Sequence, residues 1–199
     1  MPAFLRRAIK IGLIAGVVLI YLCLVGLVEA FDARNIVTGV LGLGRLMLFM
    51  VAIGAGYRAG VPMRDNRGAM ARLSPGSAIL AGIVSGAVAG ALLGALLLVM
   101  QVVDLQGMLT SASGRLETVL SFGPDPVISA LLLVVGAAFF GALGAALNLL
   151  PSYVRRPLVV AALTVLLISM LEPILRVMLV QLEAQVPALP FADLASFLY

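Results

Sequence analysis

The chain has 199 residues, of which 63% are hydrophobic and 11% charged, against roughly half and a quarter in soluble domains. That balance excludes a water-soluble domain and implies an integral membrane protein. With no histidine and one cysteine, histidine acid–base catalysis, serine–histidine nucleophiles, histidine-ligated haem and Cys/His zinc sites are excluded. The lone Cys23 forms no internal disulfide and leaves the redox compartment open. The 13 basic and 9 acidic residues give a formal charge of +4, but a nucleic-acid partner needs a basic face on a soluble surface. Here the charges are instead sorted along the chain.

Three runs, Ile11–Val28, Leu73–Val103 and Val127–Val154, contain no Asp, Glu, Lys or Arg. Each can cross about 30 Å of hydrocarbon, which takes roughly 20 helical residues. Backbone groups in lipid must be satisfied internally, and stretches such as Ala130–Leu147 are apolar on every face rather than alternating, so helices are expected and not a β-barrel. The predicted fold class is all-α, a polytopic membrane helix bundle forming one domain over residues 1–199. Its five transmembrane helices are expected at about Ile9–Val28, Ile36–Gly56, Pro75–Val103, Val127–Leu150 and Pro157–Val180. The third exceeds a perpendicular crossing and should tilt or protrude.

Basic residues set the direction. Arg6, Arg7 and Lys10 precede the first span, Arg58, Arg64, Arg67 and Arg72 follow the second, and Arg155 and Arg156 precede the fifth. The other side holds Arg34 and Arg115 with Glu29, Asp32, Asp104, Glu117, Asp125, Glu183 and Asp193. By the positive-inside rule the N-terminus is cytoplasmic and the C-terminus outside. The first span also has the plan of a signal peptide, with Val28-Glu29-Ala30 as a cleavage site, although its apolar run is longer than the usual 7–15 residues. It is read here as a retained span.

Inside the third span Gly82, Gly86, Gly90 and Gly94 recur every four residues and so share one helix face. Lipid offers no hydrophobic drive between helices, and small residues let two backbones approach. The fourth span offers Ala137, Gly141 and Ala145 as a counterpart. A packed bundle interior is the plainer reading of this stripe; a pore lining or a homodimer seam are the others.

Ionisable groups within spans mark functional candidates. Counted from Ile36, Arg45 lies roughly 14 Å deep at 1.5 Å per residue, and Glu172, counted from the far end of the fifth span, roughly 12 Å. The matching depths predict an Arg45–Glu172 pair across helices, since an unpaired buried charge costs more than a paired one. Arg176, one turn beyond Glu172, is a rival partner that can instead snorkel to the interface. Pro173 frees the carbonyl of Ser169 and predicts a kink, a feature both of transporter binding sites and of ordinary membrane helices.

The connectors carry less. The basic Arg58–Ser74 loop suits anionic lipid or a peripheral protein. Leu105, Met108, Leu109, Leu116, Val119 and Leu120 fall at helical spacing and suggest helices lying in the interface, and Phe191, Phe197 and Tyr199 suggest an aromatic anchor. There is no Walker motif, paired acidic metal site, nucleophile elbow or dinucleotide fingerprint. No catalytic residue, metal or cofactor is therefore expected, and no enzyme activity.

Val28-Glu29-Ala30-Phe31-Asp32 after the first span, Gly56-Tyr57-Arg58, the glycine-rich third helix, and Leu149-Leu150-Pro151 followed by Arg155-Arg156 together resemble the N-terminal membrane region found ahead of the permease domain in some bacterial branched-chain amino-acid ABC transporter permeases. The resemblance covers nearly all of the chain, through short motifs. It implies a bacterial inner-membrane protein, a subunit or domain of a transport system whose partners are the lipid bilayer and a permease domain, an ATPase subunit or a second copy. The glycine- and serine-rich substrate-region signature of that family is absent, so no binding residue carries over. The aromatic C-terminal end fits a truncated chain slightly better than a stand-alone relative. A structural or assembly membrane protein with no transport path is the alternative, and a lipid-acting membrane enzyme is the least supported.

Overall fold

The computed structural model describes residues 2–28, 35–37, 41–61, 63–64, 70–71, 74–102, 119–121 and 125–185. Their backbone is dominated by five long helices, α1 (Ala3–Leu24), α2 (Leu43–Gly60), α3 (Pro75–Val102), α4 (Pro126–Ala146) and α5 (Ser152–Gln185). Two short antiparallel ladders interrupt them. Strand β1 (Asn35–Val37) pairs with β2 (Leu41–Gly42) directly before α2, and β3 (Met63–Arg64) pairs with β4 (Met70–Ala71) between α2 and α3. Among the described residues, three stretches are long and apolar enough to cross a membrane, Ala3–Leu24, Pro75–Gln101 and Pro126–Leu149. Helix α2 is not one of them: it has 18 residues and contains Arg45 and Arg58.

The helix ends have local causes. Helix α1 stops at Leu24 because Gly26 takes a positive φ of 76°, a left-handed conformation that glycine adopts without a steric penalty. Its first turns begin earlier than the expected Ile9 and take in Arg6 and Arg7. The second span was expected from Ile36, but Ile36 and Val37 are β-branched residues of β1 and the helix starts at Leu43. It ends at Gly60, since Val61, held in extended backbone at ψ 138°, precedes Pro62, and a residue before proline is biased away from the helical region. Pro75 opens α3 at the first helical position, where its missing N–H is harmless. The Ser74 hydroxyl accepts from the Ser77 N–H at 3.3 Å, a side-chain N-cap. Helix α4 tightens into a 3₁₀ turn over Leu147–Leu149 before Pro151. Arg155 and Arg156, expected in a connector, lie in the opening turns of α5.

Residues 1–150 and 151–199 form two units. In the first, the spacing of close approaches fixes the directions of the helices. Gly12 and Gly16 of α1 meet Ser85 and Leu92 of α3, in the same order along both chains. Phe49, Gly56 and Gly60 of α2 meet Gly136, Gly141 and Ala145 of α4, again in the same order. Gly82, Gly86 and Gly94 of α3 meet Ala145, Ala137 and Ala130 of α4 in reverse order. So α1 and α3 run one way, and α2 and α4 the other. Phe49 stacks on Phe140 with ring centroids 4.4 Å apart.

The buried core joins Leu19 and Cys23 of α1, Leu48 of α2, Leu93 and Leu97 of α3 and Leu133 of α4. Outward, α1 shows Ile14 and Val17, and α4 shows Val127, Leu131 and Phe139, all more than half exposed. Continuous apolar surface of this extent suits lipid contact and not water. Among the described residues the second unit holds the helix α5. It runs without interruption past Pro173, so the proline does not break the helix.

Not every glycine is a contact. Gly54 has open space where a Cβ would go, and Gly54→Ala should raise stability by about 0.5–1 kcal/mol through helix propensity. A thermal melt in detergent that moves downward would contradict this.

Candidate functional site

Two places in the first unit combine unusual residues with specific geometry. One is the seam between α3 and α4. An added Cβ at Gly82 would lie 2.5 Å from the Gly141 carbonyl oxygen, and at Gly90 it would lie 2.8 Å from the Leu133 carbonyl oxygen. At Gly86 it would run into the Ala137 carbonyl. Gly94, at 3.2 Å from the Ala130 oxygen, has slightly more room. Gly82, Gly86, Gly90 and Gly94 therefore share the face turned to α4, and Gly141 turns its own Cα to Gly82 and Gly86. At such distances the helices touch backbone to backbone, which gains dispersion contacts and leaves no room for a pore between them.

The other place surrounds Arg45. It is the third residue of α2, in the first turn of the helix, where a cation faces the positive end of the helix dipole. Its guanidinium is aimed at backbone acceptors: Nε donates to the Val119 carbonyl at 2.8 Å and Nη2 to the Ser121 carbonyl at 3.1 Å. Such charge-assisted bonds are worth about 1.5–3 kcal/mol each. Val119 and Leu120 are 2% and 0% exposed and belong to the same core as Leu19, Leu48 and Leu133. Val119 and Leu120 are thus packed inside the bundle, with Ser121 half-buried beside them, where peptide groups need partners from the protein. Ser121 Oγ lies 3.4 Å from Oγ of the fully buried Ser129, in the first turn of α4.

These contacts revise the depth of Arg45. Counting from Ile36 put it halfway along a span, but the helix begins at Leu43. Through Ser121 the residue is tied to the opening turn of α4, near one end of the bundle. Glu172, Pro173 and Arg176 are in α5, and their side chains, with the Arg45–Glu172 and Glu172–Arg176 pairings, lie outside the described residues. The interfacial helices expected over 105–120, apart from 119–120, and the aromatic tail also lie outside them.

At the opposite end of the bundle Arg7 of α1 donates to the carbonyls of Val61 and Arg58 at 3.2 and 3.3 Å. Asn148 Nδ2 donates to the Tyr57 carbonyl at 2.7 Å. The first and last turns of α1, α2 and α4 are stitched together there by side chains that satisfy the end of α2, whose last carbonyls have no helical partner. Neither this stitch nor the Arg45 bonds were visible in the sequence, because each acceptor is a main-chain carbonyl, which every residue carries.

Among the described residues no group of three or more His, Cys, Asp or Glu side chains is placed to hold a metal ion. Comparisons of the chain with protein-family models, with curated proteins and with solved structures find no match. Function is therefore a matter of what this geometry can do.

Proposed function

We propose that the chain is a multi-pass membrane domain of a transport system that acts as its scaffold, resembling the N-terminal region of a branched-chain amino-acid ABC transporter permease. In this reading the bundle sits in a bacterial inner membrane in five spans, with the Arg6–Lys10 end in the cytoplasm and the C-terminus outside. The observation that carries the scaffold role is the glycine seam, since backbone contact along α3 and α4 makes a rigid body and denies substrate a route between those two helices. Cation sorting supports the orientation, and the motif resemblance supports transport. Substrate would then pass through a partner permease, and the basic loop around Arg64–Arg72 would meet an ATPase.

Extraction of the full chain in mild detergent followed by identification of co-purifying proteins tests the proposal. An ATPase and a substrate-binding protein in stoichiometric amounts are expected. The same glycine seam also favours a second reading, a purely structural or assembly protein with no transport partner, and recovery of the chain without either protein would select it.

A further inference from the structure

Helix α1 carries a feature that neither scaffold nor seam uses. Arg6, Lys10, Ile14, Val17 and Tyr21 follow one another at helical spacings of three or four residues, with Leu13 three after Lys10 and four before Val17, so the six form one stripe. All six are exposed, Ile14 and Val17 by 67% and 62%. The stripe is cationic in its first two turns and apolar above. The cationic end does not stand alone. Arg7 is bonded to the carbonyls of Val61 and Arg58, which brings the exposed Arg58 to the same end. Among the described side chains the single carboxylate, Asp125, belongs to the start of α4, at the opposite end. The local charge is therefore uncompensated by the described groups around it.

We infer that this stripe binds an anionic phospholipid, its phosphate held by Arg6 and Lys10 with Arg58 adding to the field, and an acyl chain lying along Leu13, Ile14 and Val17. A soluble anion would use only the lower turns. The continuous apolar run directly above them is what selects a molecule with a tail, and the charge selects phosphatidylglycerol-type headgroups over zwitterionic ones. The inference rests on the membrane placement and not on the transport reading.

The test uses the purified full chain, delipidated and placed in mixed micelles of phosphatidylglycerol and phosphatidylcholine, with bound lipid counted by native mass spectrometry. Wild type should retain phosphatidylglycerol preferentially. The R6Q/K10Q variant should lose about thirtyfold of that preference, from two surface charges removed, while the charge-keeping R6K/K10R retains it. Equal retention of both lipids by wild type, or an unchanged preference in R6Q/K10Q, would overturn the inference. So would displacement of the lipid by soluble glycerol phosphate, which would mark a free-phosphate site. If R6Q/K10Q does not fold, salt decides on wild type alone: the preference should collapse by about 1 M salt, where screening reaches about 3 Å, and persistence would overturn it. A chain recovered without detergent would instead refute the membrane placement itself.

Discussion

Gly86→Leu is expected to abolish the folded bundle. A Cβ at this position meets the carbonyl of Ala137, and the next nearest atoms, Ala137 C and Ala138 Cα, are also main chain. No rotamer change can clear main-chain atoms, so α3 and α4 must separate along the seam. Overpacking commonly costs 1–3 kcal/mol and sometimes more, and a rigid backbone neighbour puts this case above about 3 kcal/mol, a large part of an ordinary stability of about 5–15 kcal/mol. Gly54→Leu makes the same chemical change where nothing lies within 4 Å, and it should leave the protein monodisperse. Size-exclusion profiles and thermal melts in one detergent compare the two directly. Equal behaviour of both variants would show that the seam contributes little.

Removal of the Arg45 guanidinium should come second. Arg45→Met keeps volume but leaves the carbonyls of Val119 and Ser121 without their charged donor next to a core in which Leu120 is fully buried. A loss of about 3–6 kcal/mol follows from two charge-assisted bonds, or roughly 6–24 °C in melting temperature for a chain of this size. Arg45→Lys should recover only part, since one ammonium cannot reproduce a fork that spans two acceptors. The loss should be local before it is global: amide exchange at 119–121 should rise in Arg45→Met while α3 and α4 stay protected. Uniform acceleration, or none, would contradict the assigned role.

The two sites differ in how readable they are from residues alone, and the reason is physical. Small residues at four-residue spacing describe a helix face whatever lies opposite, so Gly82, Gly86, Gly90 and Gly94 stand out before any partner is known. The seam itself then follows from van der Waals contact, which needs only proximity. The start of α2 was harder. Ile36, Val37, Val40 and Leu41 are as apolar as a span, and hydropathy does not register that the β1–β2 ladder takes up the first of them. Arg45 was hardest. An arginine in an apolar stretch invites a search for a carboxylate, yet the acceptors it meets among the described residues, 74 and 76 residues further along the chain, are carbonyls with no side-chain signature. Long-range packing of residues 119–121 placed them there, and that placement depends on all four helices at once.

Gly141 carries a consequence for how mutational data on this bundle will combine. Its carbonyl faces Gly82 of α3 and also Gly56 of α2, so one peptide group is the floor of two interfaces. Enlarging Gly56 and enlarging Gly82 would each push the same atoms of α4, and once α4 has yielded to one, the other has less left to displace. The free energies of those two substitutions should then fall short of their sum. The α2 and α3 contacts to α4 are thermodynamically one interaction with three participants.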